Sequence, residues 1–424
     1  MKDLIIAVIG AGSSYTPEIV EGFVQQREII PVTKLIFMDI NSDRLETIAS
    51  FCRRFMRHLG HEIPIQTTTE LSAAVSGANF IVTEIRVGGN QQRVLDEKIP
   101  LKYGVIGQET TGPGGMFKAF RTIPVMLNLA HEVEKLNPDA WIINYTNPTG
   151  LVTEAICKYS NAKIVGLCSG GYFPRDAVSK YLGVPKGEIF YDYFGLNHLN
   201  FAYNFTIHGR PLTDAEFDMV ADHVHGGLVE KEIIKNMRLI PSPYLQYYYH
   251  HDRLVREYKE KGITRGEYVQ ALEKEVFAAY ADPAEETKPE ALKKRGGGGY
   301  SEIALDVIDA IHNNRSRPLI VNTSNQGTLR FLPNDAAIEV QCLVNASGIS
   351  PIQLHDTPAG VWGLVAAVKN YEQLAVEAAV KGDRNLALQA LYAHPLVGQS
   401  EIANPLLDEM LEANQRFIPQ FYSH

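Results

Sequence analysis

Short apolar runs alternate with longer amphipathic stretches over the first 170 residues. The runs Leu4–Ile9, Lys34–Asp39, Phe80–Ile85, Ala140–Tyr145 and Lys163–Cys168 are rich in Val and Ile. Each has the length of a strand buried on both faces. Helical patterns lie between them, near Pro17–Glu28, Ser42–Leu59, Phe117–Leu136 and Thr149–Tyr159. This βαβα rhythm predicts an α/β fold with a doubly wound parallel sheet. After about residue 190 the pattern turns mixed. The segment from Tyr191 to Gly209 predicts strands of a second, antiparallel sheet. Helices are expected near Tyr244–Lys259, Glu267–Tyr280, Ser301–His312 and Gly360–Gly382. Within Lys288–Tyr300, the four glycines Gly296–Gly299 predict a flexible loop, either a linker or a cover over an active site. The chain is therefore divided into a first domain, 1–190, and a mixed α+β second domain, 191–424.

Composition narrows the function. The 424 residues are 45% hydrophobic and 21% charged, which is ordinary for a soluble globular protein of two domains. A net charge of -9 gives no general attraction to nucleic acid or to an anionic membrane, though a local basic pocket stays allowed. The four cysteines, Cys52, Cys157, Cys168 and Cys342, form neither a disulfide framework nor a CxxC zinc pattern. The N-terminal apolar run is too short for a signal or membrane span. A reducing cytoplasm is the expected location.

The first apolar run is followed at once by Gly10-Ala-Gly12-Ser13-Ser14-Tyr15, and Pro17 opens a helix. Glycines there allow a tight turn and close approach of backbone to a pyrophosphate, and the helix start offers unpaired N–H groups. Tyr15 replaces the third glycine of the usual pattern. The second run ends at Asp39, where a carboxylate would hold ribose hydroxyls and disfavour a 2′-phosphate. These residues, with Arg44 in the next helix, form a candidate NAD site in a Rossmann-like first domain. An ordinary βα turn, with Asp39 capping the following helix, is the bland alternative.

Cys168 closes a strand on the ligand side of the sheet, and His198 lies in Gly-Leu-Asn197-His198. Thiolate, imidazole and substrate oxygens suit a divalent transition metal. Each residue alone is as well explained by packing. Arg86, Arg121, Asn144 and Asn147 lie near strand ends or helix starts, and arginine in a cleft suits phosphate or carboxylate. Asn147 is as well explained as a cap for the helix from Thr149. The glycine-dense stretch Gly107–Gly115 is either a loop over a ligand or a plain connector. Tyr244, Tyr247, Tyr248 and Tyr249 lie close together, and spacing does not select a general base among them.

Taken together, the stretches GAGSSYTPE, IRVGG, IPLKYGVIGQETTGPGG, NYTNP, GLC and GLNHLN resemble glycoside hydrolase family 4, in particular its 6-phospho-β-glucosidases. The resemblance spans nearly the whole chain. It implies NAD and a divalent metal, usually Mn2+, acting with no net redox change. Hydride leaves sugar carbon 3, a base removes the proton on carbon 2, the aglycone departs from carbon 1, water adds, and the hydride returns. Carried over by motif, Cys168 and His198 match the metal ligands and Tyr244 the base, its pKa lowered by the metal and Arg265. Arg86, Asn147 and Arg265 match the contacts to a phosphorylated sugar. Ser169 stands where the family carries Asn or Asp against the sugar hydroxyls, which disfavours the α-specific branch. The second domain is then expected to hold substrate and metal and to form a homodimer or homotetramer.

Two other readings share the fold. A lactate/malate-type NAD-dependent hydroxy-acid dehydrogenase would produce NADH stoichiometrically. A non-catalytic NAD-binding regulator would bind nucleotide with no metal dependence and no turnover.

Overall fold

The apolar run Leu4–Ile9 forms strand β1, buried almost throughout, inside a nine-stranded sheet. The computed structural model describes residues 4–295, 300–354 and 356–422. The N-terminal part of the sheet is β1, β2 (Val32–Met38), β3 (Ile65–Thr68), β4 (Phe80–Thr83), β5 (Trp141–Asn144) and β6 (Lys163–Gly166). All five pairings among these strands are parallel, in the order β3-β2-β1-β4-β5-β6. This is the doubly wound, Rossmann-like arrangement, with its topological switch point between β1 and β4. Four of the five expected strands stop one or two residues early, so Asp39 and Cys168 sit just past the carboxyl ends of their strands.

The second sheet contains β7 (Ile189–Leu196), β8 (Leu199–Ile207), β9 (Arg210–Pro211) and β10 (Ile240–Pro241), all antiparallel, as the Tyr191–Gly209 pattern predicts. Strands β7 and β8 form a tight hairpin whose turn is Asn197-His198. The sequence did not reveal that β11 (Arg317–Ser324), β12 (Ala337–Asn345) and β13 (Gly348–Pro351) return to the first sheet. They extend it antiparallel beyond β6, through the single register pair Asn322–Gly166.

Local chemistry explains the helix ends. Asn41 accepts from Arg44 N at 3.0 Å and caps the helix Ser42–His58. Thr264 and Glu267 form a reciprocal capping box at Arg265–Ala281. Gly382, in the left-handed region at φ +66°, closes Trp362–Lys381. The expected helix Phe117–Leu136 starts earlier, at Gly112, with Pro113 in its first turn. The expected helix Tyr244–Lys259 is three pieces: a 3-10 turn Pro243–Leu245, then Gln246–Tyr249, then His251–Lys261. An unforeseen helix, Gly89–Lys102, buries polar side chains and carries Pro100 inside it. Gly296–Gly299 lie outside the described residues.

Candidate active site

Gly10 adopts φ +88°, and a Cβ on it would meet the Glu84 backbone at 2.8 Å. At Gly12 a Cβ would lie 2.7 Å from Asp39 Oδ2, which accepts from Gly12 N at 2.9 Å. Side chains at either position would fill the turn. Asp39 does not cap the next helix; Asn41 does. Arg44 donates to Gly12 O at 3.0 and 3.2 Å, pairs with Glu273 at 3.3 Å and stacks on Phe277. Ser14 Oγ is buried with no hydrogen-bond partner, and Ser13 N donates to Gly10 O. A bare glycine turn, an orphan hydroxyl and a carboxylate past β2 at the switch point fit a dinucleotide.

Cys168 follows β6 as the first residue of a tight turn, its sulfur accepting from Gly170 N at 3.4 Å. Burial, with Glu339 nearby, pushes the thiol up to about 12. His198 takes φ +66° in the β7–β8 turn. Its Nδ1 bonds Thr110 Oγ1 at 2.8 Å, which leaves Nε2 as the ring atom to coordinate a cation. Burial pushes the imidazole down to about 4, so it is neutral, the form that binds metal. The Tyr244 ring stacks on His198 with centroids 3.8 Å apart and 4° between planes. Its phenol is raised by burial, then by Cys168 and Glu109. The cation that opposes this rise is Arg93, in place of the expected Arg265. The buried phenol thus stacks on the neutral imidazole within electrostatic reach of the thiol, and thiol plus imidazole, completed by substrate oxygens, suit a divalent transition metal.

Beside it, Glu109 gathers three cations: Arg86 at 2.5 Å, Lys118 at 2.7 Å and Arg93 at 3.1 Å. Burial opposes ionisation of Glu109, but these cations hold its carboxyl well below the usual range. Burial and Arg86 push Lys118 down to about 7 against the pull of Glu109. The Gly107–Gly115 stretch is a closely packed anchor. Gly107 and Gly114 press on the Glu97 and Gln108 carbonyls, and Gln108 Oε1 accepts from Thr111 N at 2.7 Å. This stretch delivers Glu109 to the cations and Thr110 to His198.

A second basic group surrounds Tyr15. Arg295 lies over its ring at 4.2 Å, and Arg265 and Arg86 are within electrostatic reach of the phenol. Arg265 Nη2 donates to Arg295 O at 2.6 Å. Arg295 is 9% exposed, and its Nε has no hydrogen-bond partner. An orphan guanidinium N–H among arginines suits a phosphate.

The other candidates separate. Asn147 precedes the helix Thr149–Tyr159 through a cis bond to Pro148 and gives it no side-chain cap. Ser169 opens the 3-10 turn Ser169–Tyr172 beside Cys168. Arg121 is held in a buried fork with Asp96 at 3.0 and 2.6 Å. Asn144 is also structural, accepting from Thr83 Oγ1 at 2.8 Å. Tyr247 packs in a small core with Leu101, Ile106, Leu254 and Val255, and Tyr248 faces His394. Sequence reasoning did not single out Arg93, Glu109, Thr110, Lys118 or Arg295. Of these, Glu109 and Thr110 stand inside the quoted IGQETTGPGG stretch.

Residues 5–184 match the model of the family 4 glycosyl hydrolases, and residues 193–397 match that of the family's C-terminal domain. A probable 6-phospho-β-glucosidase of Bacillus subtilis is 40% identical over 100% of this chain and 99% of its own. A 6-phospho-β-glucosidase of Escherichia coli is 35% identical over 99% of this chain and 97% of its own. The structure of the Thermotoga maritima 6-phospho-β-glucosidase, solved with manganese, NAD+ and glucose-6-phosphate, superposes with a TM-score of 0.90. It is 32% identical and covers 98% of this chain and 99% of its own. A lactate dehydrogenase from a deep-sea metagenome library, at 14% identity and a TM-score of 0.58, shares the fold alone. Similarity that runs the full length of both chains settles the kinship: this chain belongs to family 4 of the glycosyl hydrolases.

Proposed function

We propose that the chain is an NAD- and divalent-metal-dependent glycosidase that hydrolyses 6-phospho-β-glucosides. The observation that carries this is Tyr244, stacked on His198 and within electrostatic reach of Cys168, in a chain whose sheet forms a dinucleotide cradle at its β1–β2 end. Dehydrogenases of the lactate/malate type need no thiol–imidazole pair, and a regulator needs no base. Gly10, Gly12, Ser13, Ser14, Asp39 and Arg44 would hold NAD. Cys168 and His198 would hold the metal. Arg86, Asn147, Ser169 and Arg265 would hold the phosphorylated sugar, and the placement of Arg295 adds it to this group.

When bound, NAD takes a hydride from sugar carbon 3 and later returns it, while the metal polarises the neighbouring sugar oxygens. The protein's own groups do the rest. A ketone at carbon 3 acidifies the proton on carbon 2, and Tyr244 accepts that proton. Tyr244 is held neutral by burial and Cys168, so it becomes a base only with a cation beside it. Loss of the proton expels the aglycone from carbon 1, and water adds there. Ser169 is too short and too weakly acidic to protonate the leaving group, which favours aglycones that depart as stable anions. The division into a nucleotide-binding domain 1–190 and a domain 191–424 for substrate, metal and self-association belongs to the same proposal, as does a cytoplasmic homodimer or homotetramer.

The test uses nitrophenyl β-glucosides with and without a 6-phosphate, in protein stripped of nucleotide and metal. Cleavage should need both NAD and Mn2+ and leave no net NADH. Removing the phosphate, at about 1.5–3 kcal/mol per charge-assisted bond, should cost on the order of 10²-fold or more in kcat/KM. Full activity without NAD, or equal efficiency on the unphosphorylated glycoside, would overturn the reading.

A further inference from the structure

Glu339 is a buried carboxylate on β12, 1% exposed, with no salt-bridge partner among the described residues. Four neutral donors converge on it. Tyr193 OH lies at 2.8 Å and Asn200 Nδ2 at 3.2 Å from Oε1. Asn197 Nδ2 lies at 2.9 Å and Asn322 Nδ2 at 3.0 Å from Oε2. Burial raises the Glu339 carboxyl above its ordinary range, and the hydrogen bonds from Asn197, Tyr193 and Asn322 oppose that rise. Packing alone would be served as well by an apolar residue.

The donors are distributed in a telling way. Tyr193 and Asn200 belong to β7 and β8, and Asn197 is the residue before His198 in the turn that joins them. Asn197 also lies close enough to the Cys168 thiol to favour its ionised form. Asn322 donates in addition to Gly166 O at 3.4 Å, two residues before Cys168, at the one register pair between β11 and β6. The His198 turn is itself under strain: His198 sits at φ +66°, and Gly195, at φ +139°, has the Leu199 carbonyl 2.3 Å from where a Cβ would be. One carboxylate therefore ties together the turn carrying His198 and the strand that leads to Cys168, without itself being a ligand.

We infer that Glu339 is the positioning residue of the metal site, fixing Cys168 and His198 through Asn197 and Asn322. This rests on the reading of Cys168 and His198 as metal ligands. Outer-shell partners of this kind are worth about 10–100-fold in metal affinity.

The experiment measures the dissociation constant of Mn2+ from the paramagnetic resonance of the free ion, in NAD-loaded full-length protein. Wild type is compared with Glu339→Gln, Asn197→Ala and Cys168→Ser, and NAD affinity is followed in parallel by nucleotide fluorescence. Glu339→Gln should weaken Mn2+ by about 10–100-fold and Asn197→Ala by about tenfold, with NAD affinity held within about twofold. Glu339→Gln that binds NAD normally and Mn2+ within about twofold of wild type overturns the inference. If Glu339→Gln does not bind NAD, Asn197→Ala decides by the same criterion. The controls separate the two claims. Cys168→Ser with unchanged Mn2+ affinity removes the ligand assignment itself. Loss in Cys168→Ser with none in the other two removes only the role of Glu339.

Discussion

The imidazole of His198 and the phenol of Tyr244 lie face to face, their centroids 3.8 Å apart and their planes 4° from parallel. A group that coordinates through Nε2 thus has the phenol as its immediate neighbour. Tyr244→Phe keeps the stacked ring and removes only the O–H. Steady-state kinetics on a nitrophenyl 6-phospho-β-glucoside should show kcat lowered by about 10²–10⁴-fold, with Mn2+ affinity unchanged. The same change at Tyr248, whose ring stacks against His394, should leave kcat nearly intact. Equal losses at both positions would assign Tyr244 to packing.

Glu109 is the shared counter-ion of Arg86, Arg93 and Lys118. Glu109→Gln leaves three cations crowded and underpaired in a buried place. Urea unfolding should show a loss of about 3–5 kcal/mol, the usual cost of stranding a buried charge. A loss below about 1 kcal/mol would mean that water already reaches the cluster and screens it.

Asp39 both accepts from Gly12 N and presents a carboxylate past β2. Asp39→Ala should weaken NAD and relieve the repulsion of a 2′-phosphate. Titration of both nucleotides should show the NAD-over-NADP preference narrowing by about tenfold or more, equivalent to one charge-assisted bond. An unchanged ratio would place discrimination elsewhere in the cradle.

His394 is 1% exposed and held down to about 3, chiefly by burial and then by His251. Its Nδ1 accepts from Leu396 N at 3.2 Å, while its Nε2 is buried without a partner. An unfolded histidine titrates near ~6.5. Because the folded value is depressed, the unfolded chain takes up the proton first as pH falls. The stabilising contribution is complete above about 6.5 and is lost progressively towards 3, by about 1.4 kcal/mol per pH unit. His394→Phe should lose less unfolding free energy than wild type between pH 6.5 and 5, by about 2 kcal/mol. Parallel pH profiles would show that His394 is not buried in its neutral form.

What could be read from the residues followed from how each element buries itself. Strands β1, β2, β4, β5 and β6 are buried on both faces, so their apolar runs stand out. The helix Gly89–Lys102 does not, because the face it buries carries Asn90, Gln92, Arg93, Asp96 and Glu97, and hydrophobic periodicity is erased. The return of β11–β13 to the first sheet depends on one register pair between distant segments, which no local pattern encodes. Within the site, Cys168 and His198 were legible through their motifs. Spacing alone did not separate Tyr244 from its neighbouring tyrosines; the family resemblance matched it to the base, and its contact with His198 distinguishes it in the structure. The cations around Glu109 and Tyr15 come from separate segments of the chain, and Arg295 joins them from more than 270 residues beyond Tyr15.

Turnover in heavy water tests the central claim most directly, since proton loss from carbon 2 is the step that distinguishes this chemistry from direct displacement at carbon 1. Cleavage of a 6-phospho-β-glucoside with NAD and Mn2+ in D2O, followed by proton resonance of the sugar released, should show deuterium at carbon 2 in the glucose 6-phosphate formed. Incorporation should slow in step with cleavage in Tyr244→Phe. Glucose 6-phosphate that retains its original hydrogen at carbon 2 after full turnover would contradict the account.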